Sequence, residues 1–237
     1  VGDCRVGDTL VAGVGRDSAA ALEGYKEVKP MVFAGIFPRE GNDLEDLREA
    51  MEKLKLNDAA LSYEPERSDA LGFGFRCGFL GLLHLEIFQE RLRREYNLDL
   101  IVTGPSVAYR VKKKSGEEVI VRTPQRLPDP SEIDSVEEPW VTLDIITPQT
   151  YIGNIMSLSQ DKRGIYKNTE YISAGSDEAR AILHYDMPLS AILTDFYDKI
   201  KSVSAGYASI NYDYLDYRPA DVVTLDSMVA EEPVEAL

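Results

Sequence analysis

The chain has 237 residues, 44% apolar and 28% charged, which suits soluble globular folding in more than one average domain and excludes a mainly disordered chain. A formal net charge of −15 argues against a general nucleic-acid coat, since phosphate is repelled by the whole. No apolar run approaches the roughly 20 residues that a bilayer crossing needs, and Cys4 and Cys77, far apart and without metal spacing, read as reduced thiols of a cytosolic protein.

Residues 1–27 open on VGDCRVGDTL, without a starting Met or a targeting segment, and read as the last strands of a preceding β-domain plus a linker. Together with the closing SMVAEEPVEAL, this predicts a piece of a longer protein. VKPMVFAGIFP (28–38) predicts a buried strand ended by Pro38. A helix follows over NDLEDLREAMEKLKLND, with Leu44, Leu47, Ala50, Met51 and Leu54 at helical spacing and Asp43 as N-cap. LSYEPE and GFGFRC read as two strands. FLGLLHLEIFQERLRREY reads as a helix from Phe79, apolar almost all round in its first half, with Gly81 inside it at a cost of roughly 1 kcal/mol against Ala. LDLIVT closes a β-α-β-β-α-β block.

SVAYRVKKKSGEEVIVR predicts a hairpin turning at Lys114–Glu117, and RLPDPSEIDSVEEP (126–139) a polar connector. The first order then repeats: strand EPWVTLDIITP, helix TYIGNIMSLSQ, strands GIYKNTEYIS and ARAILHYDMP around an Ala-Gly-Ser-Asp turn, helix LSAILTDFYDKIKSV and strand GYASINYDYLDY. The fold class is therefore α+β: two ferredoxin-like split-βαβ domains, 28–104 and 136–217, joined by the hairpin and connector at 105–135 and followed by 218–237.

Chemical motifs are mostly missing. G-x-G-x-x-G starting at Gly72 would need glycine at 77, which is Cys77, and no G-x-x-x-x-G-K-[ST] occurs. DKRG (161–164) and DALG (69–72) both fit D-x-x-G, too loose a pattern to mark a nucleotide site. Period-2 alternation puts Phe73 and Phe75 on one sheet face and Gly72 and Gly74 on the other, and strand glycines mark close backbone approach. His84, with Glu86 as its candidate orienting acid, has no serine or cysteine nucleophile in a recognisable elbow and reads as a core or boundary histidine, as does His184. The acid pairs Glu137–Glu138 and Glu231–Glu232 read as solvated loop charges.

The hairpin is the exception. Arg110, Lys112, Lys113, Lys114, Arg122 and Arg126 face only Glu117 and Glu118, a local +4 on an acidic body. Lys112, Lys113, Lys114 and Arg122 are candidate phosphate contacts, or else a charged device that protects a sheet edge. Lys162, Arg163 and Lys167 form a candidate second patch. Tyr207 in GYAS is open to two readings, a ring that stacks on a base and a ring that packs, with packing the simpler.

The runs KEVKPMVFAGIFP, LSYEPERSDALGFGFRCGFLGLLHLEIF, EEPWVTLDIITPQTYIGNIMSLSQDKRG and MPLSAILTDFYDKIKSVSAGYASINYDY resemble, in order, the LepA (elongation factor 4) family of translational GTPases. The resemblance implies that 1–27 is the tail of a β-barrel domain. It also implies that the two ferredoxin-like domains are similar to the third and fifth of elongation factor G, and that 218–237 begins a C-terminal domain. It implies a parent that binds GTP and Mg in a GTPase domain absent here, so that this stretch holds no cofactor and is not catalytic alone. The implied partner is the ribosome, its RNA and proteins near the factor site, with tRNA met through the parent. The implied setting is a cytoplasmic monomer, or one peripheral on the cytoplasmic face of a bacterial membrane, with a role in back-translocation or in fidelity and rescue. The competing functional class is a tandem regulatory module that binds a small metabolite.

Overall fold

The computed structural model describes residues 29–68, 70–123, 126–172 and 179–223, together with residues 8–9, 11, 20, 228–229 and 232–233. The proposed barrel tail at 1–27 lies almost wholly outside the described residues, as does the Ala-Gly-Ser-Asp turn. The chain divides at Gly104–Pro105 into two compact units.

In the first unit, β1 (Val32–Pro38) leads through a single tight turn into α1 (Leu44–Asn57). β2 (Ser62–Ser68), β3 (Gly72–Phe79), α2 (Leu82–Tyr96) and β4 (Leu100–Val102) follow. The sheet order is β2-β3-β1-β4, antiparallel throughout, which is the split-βαβ arrangement. Leu47, Ala50, Met51 and Leu54 are the buried stripe of α1, so the helical spacing in the sequence does mark the core face. α2 ends on Asn97, whose left-handed backbone (φ 53°) lets its N–H bond back to the Leu92 carbonyl.

β1 is buried along its whole length, and its two faces are filled differently. Val32, Ala34 and Ile36 lie opposite Phe79, Cys77 and Phe75 of β3, and Phe79 meets Phe88 of α2 with ring centroids 5.3 Å apart. On the other face the phenylalanines of β1 lie flat over glycine backbone. A Cβ on Gly74 would stand 2.5 Å from the Ile36 carbonyl oxygen and 2.5 Å from Cδ1 of Phe37, and one on Gly35 would stand 2.7 Å from Cε2 of Phe37. In GFGFRCG, Gly74 is there because Phe37 and the β1 backbone occupy the space of a side chain, whereas Gly72 has open space and takes a left-handed backbone (φ 78°).

One expectation about this stretch needs correction. β3 continues to Phe79 and α2 begins at Leu82, so Gly81 is the extended N-cap (φ −177°) and not an interior helix residue. The apolar first half of α2 leaves Leu83 and Ile87 exposed.

In the second unit β5 (Tyr109–Lys113) and β6 (Glu118–Val121) form the hairpin. β7 (Ile133–Pro148), α3 (Ile152–Asp161), β8 (Ile165–Ile172) and β9 (Arg180–Pro188) follow. A continuous helical stretch then runs through α4 (Leu189–Ala191), a wider π-helical turn (Ile192–Phe196) and α5 (Tyr197–Val203), before β10 (Ser209–Pro219). The order β8-β9-β7-β10 repeats that of the first unit. β7 is longer than the predicted strand: residues 133–137, expected in the connector, pair with β5 (Arg110 opposite Glu137, Val111 opposite Val136, Lys112 opposite Ser135). The hairpin is thus built into the second sheet.

Phe73 and Phe75, two residues apart in β3, differ sharply: Phe75 is 4% exposed and Phe73 61%. Phe75→Ala should therefore cost about 3–5 kcal/mol in urea unfolding, Gly74→Ala about 1–3 kcal/mol through overpacking, and Phe73→Ala under about 1 kcal/mol. Equal effects of the two phenylalanine substitutions would contradict this packing.

Candidate functional site

The motif-like features resolve into structure. His84 accepts a hydrogen bond at Nδ1 from the Leu80 N–H (3.1 Å), which places its own N–H on Nε2, 2.6 Å from Oδ2 of Asp58. The imidazole ties the start of α2 to the end of α1, and its carboxylate is Asp58, not the exposed Glu86. His184 sits in β9 with Nδ1 2.6 Å from Oδ1 of Asp144 on β7. Among the described residues no group of three or more His, Cys, Asp and Glu side chains could hold a metal. Burial pushes the Cys77 thiol far above its ordinary pKa, which leaves it unreactive.

A nucleotide does not fit the glycine-rich stretch either, because Phe37 covers the backbone that would have to approach a phosphate. DKRG is the end of α3. Arg163 takes a left-handed backbone (φ 64°), and the Gly164 N–H bonds back to the Ser159 carbonyl at 2.8 Å.

The basic candidates are all described, and the structure pairs nearly every one. Lys112 Nζ lies 3.0 Å from Oε1 of Glu137, and Arg110 reaches the other oxygen of the same carboxylate at 3.2 Å. Lys113 pairs with Glu117 at 2.9 Å, and Lys114 donates to the Ser131 carbonyl at 2.6 Å. Lys162 bonds Asp195. Arg163 grips Glu138 with both guanidinium nitrogens (2.6 and 3.0 Å), and Lys167 pairs with Asp186 at 2.9 Å. Arg122, just past β6, has contacts of its own. The hairpin is less a free cationic tip than a strand pair fastened to β7 by charge.

Glu137 and Glu138, expected to be solvated loop charges, are therefore corrected. Both belong to β7, where successive side chains point to opposite sides. Glu137 is 12% exposed and faces the hairpin cations; Glu138 is 1% exposed, held by Arg163 and by the Ser190 hydroxyl (3.1 Å). The missed signal was the true start of β7, since two adjacent acids in a buried strand must each find a cation. Asp186 forms a second knot with Lys167 and with Arg218, whose guanidinium lies 4.7 Å from the Trp140 ring centroid.

Tyr207 is 64% exposed and does not pack into the core. Its ring lies near-parallel to Tyr151 (17°, centroids 6.2 Å apart), a partner that the sequence did not single out.

The family described as Elongation factor G C-terminus matches residues 135–228, the second sheet with its helices. Over its full 237 residues the chain is 54% identical to elongation factor 4 of Thermosynechococcus vestitus, and it is 56% identical to that of Chlorobium phaeobacteroides over an alignment of 239 residues. Elongation factor 4 of a Cyanothece species is 52% identical over all 237 residues. The chain belongs to the elongation factor 4 family. It spans 38% of the length of these relatives, and both split-βαβ units fall within the match. This stretch of elongation factor 4 is thus a translation-factor segment whose described helices include none long and apolar enough to cross a membrane.

The ion pairs fix the response to acid. Hydrogen bonding to Lys112 holds the Glu137 carboxyl below its ordinary pKa. Burial pushes Asp186 up, but the hydrogen bonds from Lys167 and Arg218 outweigh it and leave that carboxyl low as well. Depressed carboxylates stabilise the fold fully above the ordinary range near pH 4, and that contribution is lost as pH falls through the lowered folded values. Melting temperature should therefore change little through these groups from pH 7 to about 5 and fall below about 4. Asp186→Asn should cost about 1.5–3 kcal/mol at pH 7 and flatten the acid limb; an acid limb identical to wild type would contradict the assignment.

Proposed function

We propose that this chain is a ribosome-docking scaffold of an elongation factor 4, two rigid sheet-and-helix units that present surface to ribosomal RNA and proteins near the factor site. The observation that carries the reading is the unbroken likeness to elongation factor 4 across both units, with the elongation factor G C-terminal family over the second. The units offer shape and not chemistry: their histidines, acids and glycine-rich strand are used in holding the fold. GTP binding with Mg, and the hydrolysis that resets the factor, belong in this proposal to residues beyond this stretch. The scaffold's share in back-translocation, fidelity or rescue is to hold the factor in place while tRNA is repositioned. Its working place is the cytoplasm.

The pairing found at the hairpin changes which lysines should be tested. Lys112 fastens the hairpin to Glu137, so its loss would confuse docking with folding. Lys113 and Lys114 flank the turn, where Gly116 (φ 88°) reverses the chain, and they can exchange their local partners for phosphate. The test is co-sedimentation of the chain with purified ribosomes across a salt series. Pelleting should weaken as salt rises. Lys113→Gln with Lys114→Gln should lower the affinity and reduce the log–log salt slope by about 0.7–0.9 for each phosphate that is no longer neutralised. Failure of the wild-type chain to pellet at low salt would sink the docking reading; an unchanged slope in the double variant would remove the hairpin from it.

A further inference from the structure

The charged residues of this chain are spread unevenly, and two runs of the second unit have none. Residues 145–160 (IITPQTYIGNIMSLSQ) and 202–212 (SVSAGYASINY) contain no Asp, Glu, Lys or Arg, in a chain that carries 41 acids and 26 bases. The fold brings these two runs together: Ser209 pairs with Ile146 and Ile210 with Ile145 across β10 and β7, and Tyr207 lies beside Tyr151. A protein of net charge −15 therefore keeps carboxylates out of both runs at the place where two tyrosine rings come together.

The loop that carries Tyr207 is held rigid. Ser204, fully buried, donates from its hydroxyl to the Ile200 carbonyl (2.6 Å) and accepts the Ala208 N–H (3.0 Å). Lys201 Nζ donates to the Ala208 carbonyl at 2.6 Å. Ala205 (φ 50°) and Gly206 (φ 84°) both take the left-handed backbone, strained for Ala205, and this tight reversal lifts the next residue outward. In front of the facing turn the way is open, since a Cβ on Gly153 or Gly206 would meet nothing within 4 Å. An exposed aromatic ring held on a braced loop, on runs of chain that carry no acids and with open backbone beside it, is of a form that stacks on nucleobases. Such stacking is tolerant of sequence, because every base has a π-face.

We infer that Tyr207, backed by Tyr151, is a stacking platform for an unpaired base of ribosomal RNA. This rests on the docking reading above and adds the surface by which the second unit would be held. Contact at this end of β7 comes from rings and backbone, and is separate from the phosphate contacts proposed for Lys113 and Lys114 at the hairpin.

The test uses three forms of the chain, wild type, Tyr207→Phe and Tyr207→Ala, in ribosome co-sedimentation at one moderate salt concentration, with ultraviolet crosslinking of the pellets. Thermal melting checks that all three are equally folded, as the exposure of Tyr207 leads us to expect. Tyr207→Phe keeps the ring and should bind as wild type. Tyr207→Ala should bind about 5- to 150-fold more weakly, and the wild-type crosslink at Tyr207 should map to a nucleotide that is unpaired. Equal pelleting of wild type and Tyr207→Ala would overturn the platform while leaving the docking reading intact. A crosslink from Tyr207 to a ribosomal protein would overturn the choice of RNA. No pelleting of any form would overturn both.

Discussion

The long strand β7 is the constraint on which the second unit depends. Its sixteen residues pair with β5 over the first part of their length, with β9 over the last part, and with β10 along the opposite edge. A strand used on both edges is buried, and a buried strand carrying Glu137 and Glu138 is stable only if both carboxylates are met by cations. Arg110 and Lys112 meet the first, Arg163 the second, and the two sets come from different parts of the chain. Hairpin, α3 terminus and sheet are thereby locked in one register.

The first unit fills its central strand differently. β1 has helices over one face, and on its other face Phe37 lies against Gly35 and Gly74 beside the carboxylate of Glu66, which Arg76 accompanies at 3.7 Å. A ring over bare backbone gives close packing, and a Cβ at Gly35 or Gly74 would overpack it. The two units share a topology but not a way of filling it, which is why their sequences can diverge so far while the strand order stays the same.

The periodicities were enough to read both β-α-β-β-α-β orders, the buried stripe of α1 and the turn of the hairpin, because alternation and helical spacing record which face is buried. Boundaries were harder where polar residues are buried. Ser135 and Glu137 look like loop, and the pairing with β5 shows them to be strand. The cations were legible as a cluster but not as a site, since the acids that neutralise them (Glu137, Glu138, Asp186, Asp195) lie 25 to 33 residues from their partners or, for Asp186 and Lys167, on another strand. Tyr207 stood out in the sequence, whereas Tyr151 did not, because nothing local says that the turn after β7 meets the loop before β10.

On the docking reading, what this stretch of elongation factor 4 offers through its described residues is shape and fixed charge, and its orientation on the ribosome is then the decisive quantity. A cryo-EM map of the purified ribosome with this chain bound would measure it directly. The account predicts density for the second unit with the end carrying Tyr151 and Tyr207 against ribosomal RNA. A bound unit whose tyrosine end points into solvent, or a ribosome saturated with the chain that shows no density for it at the factor site, would contradict the account.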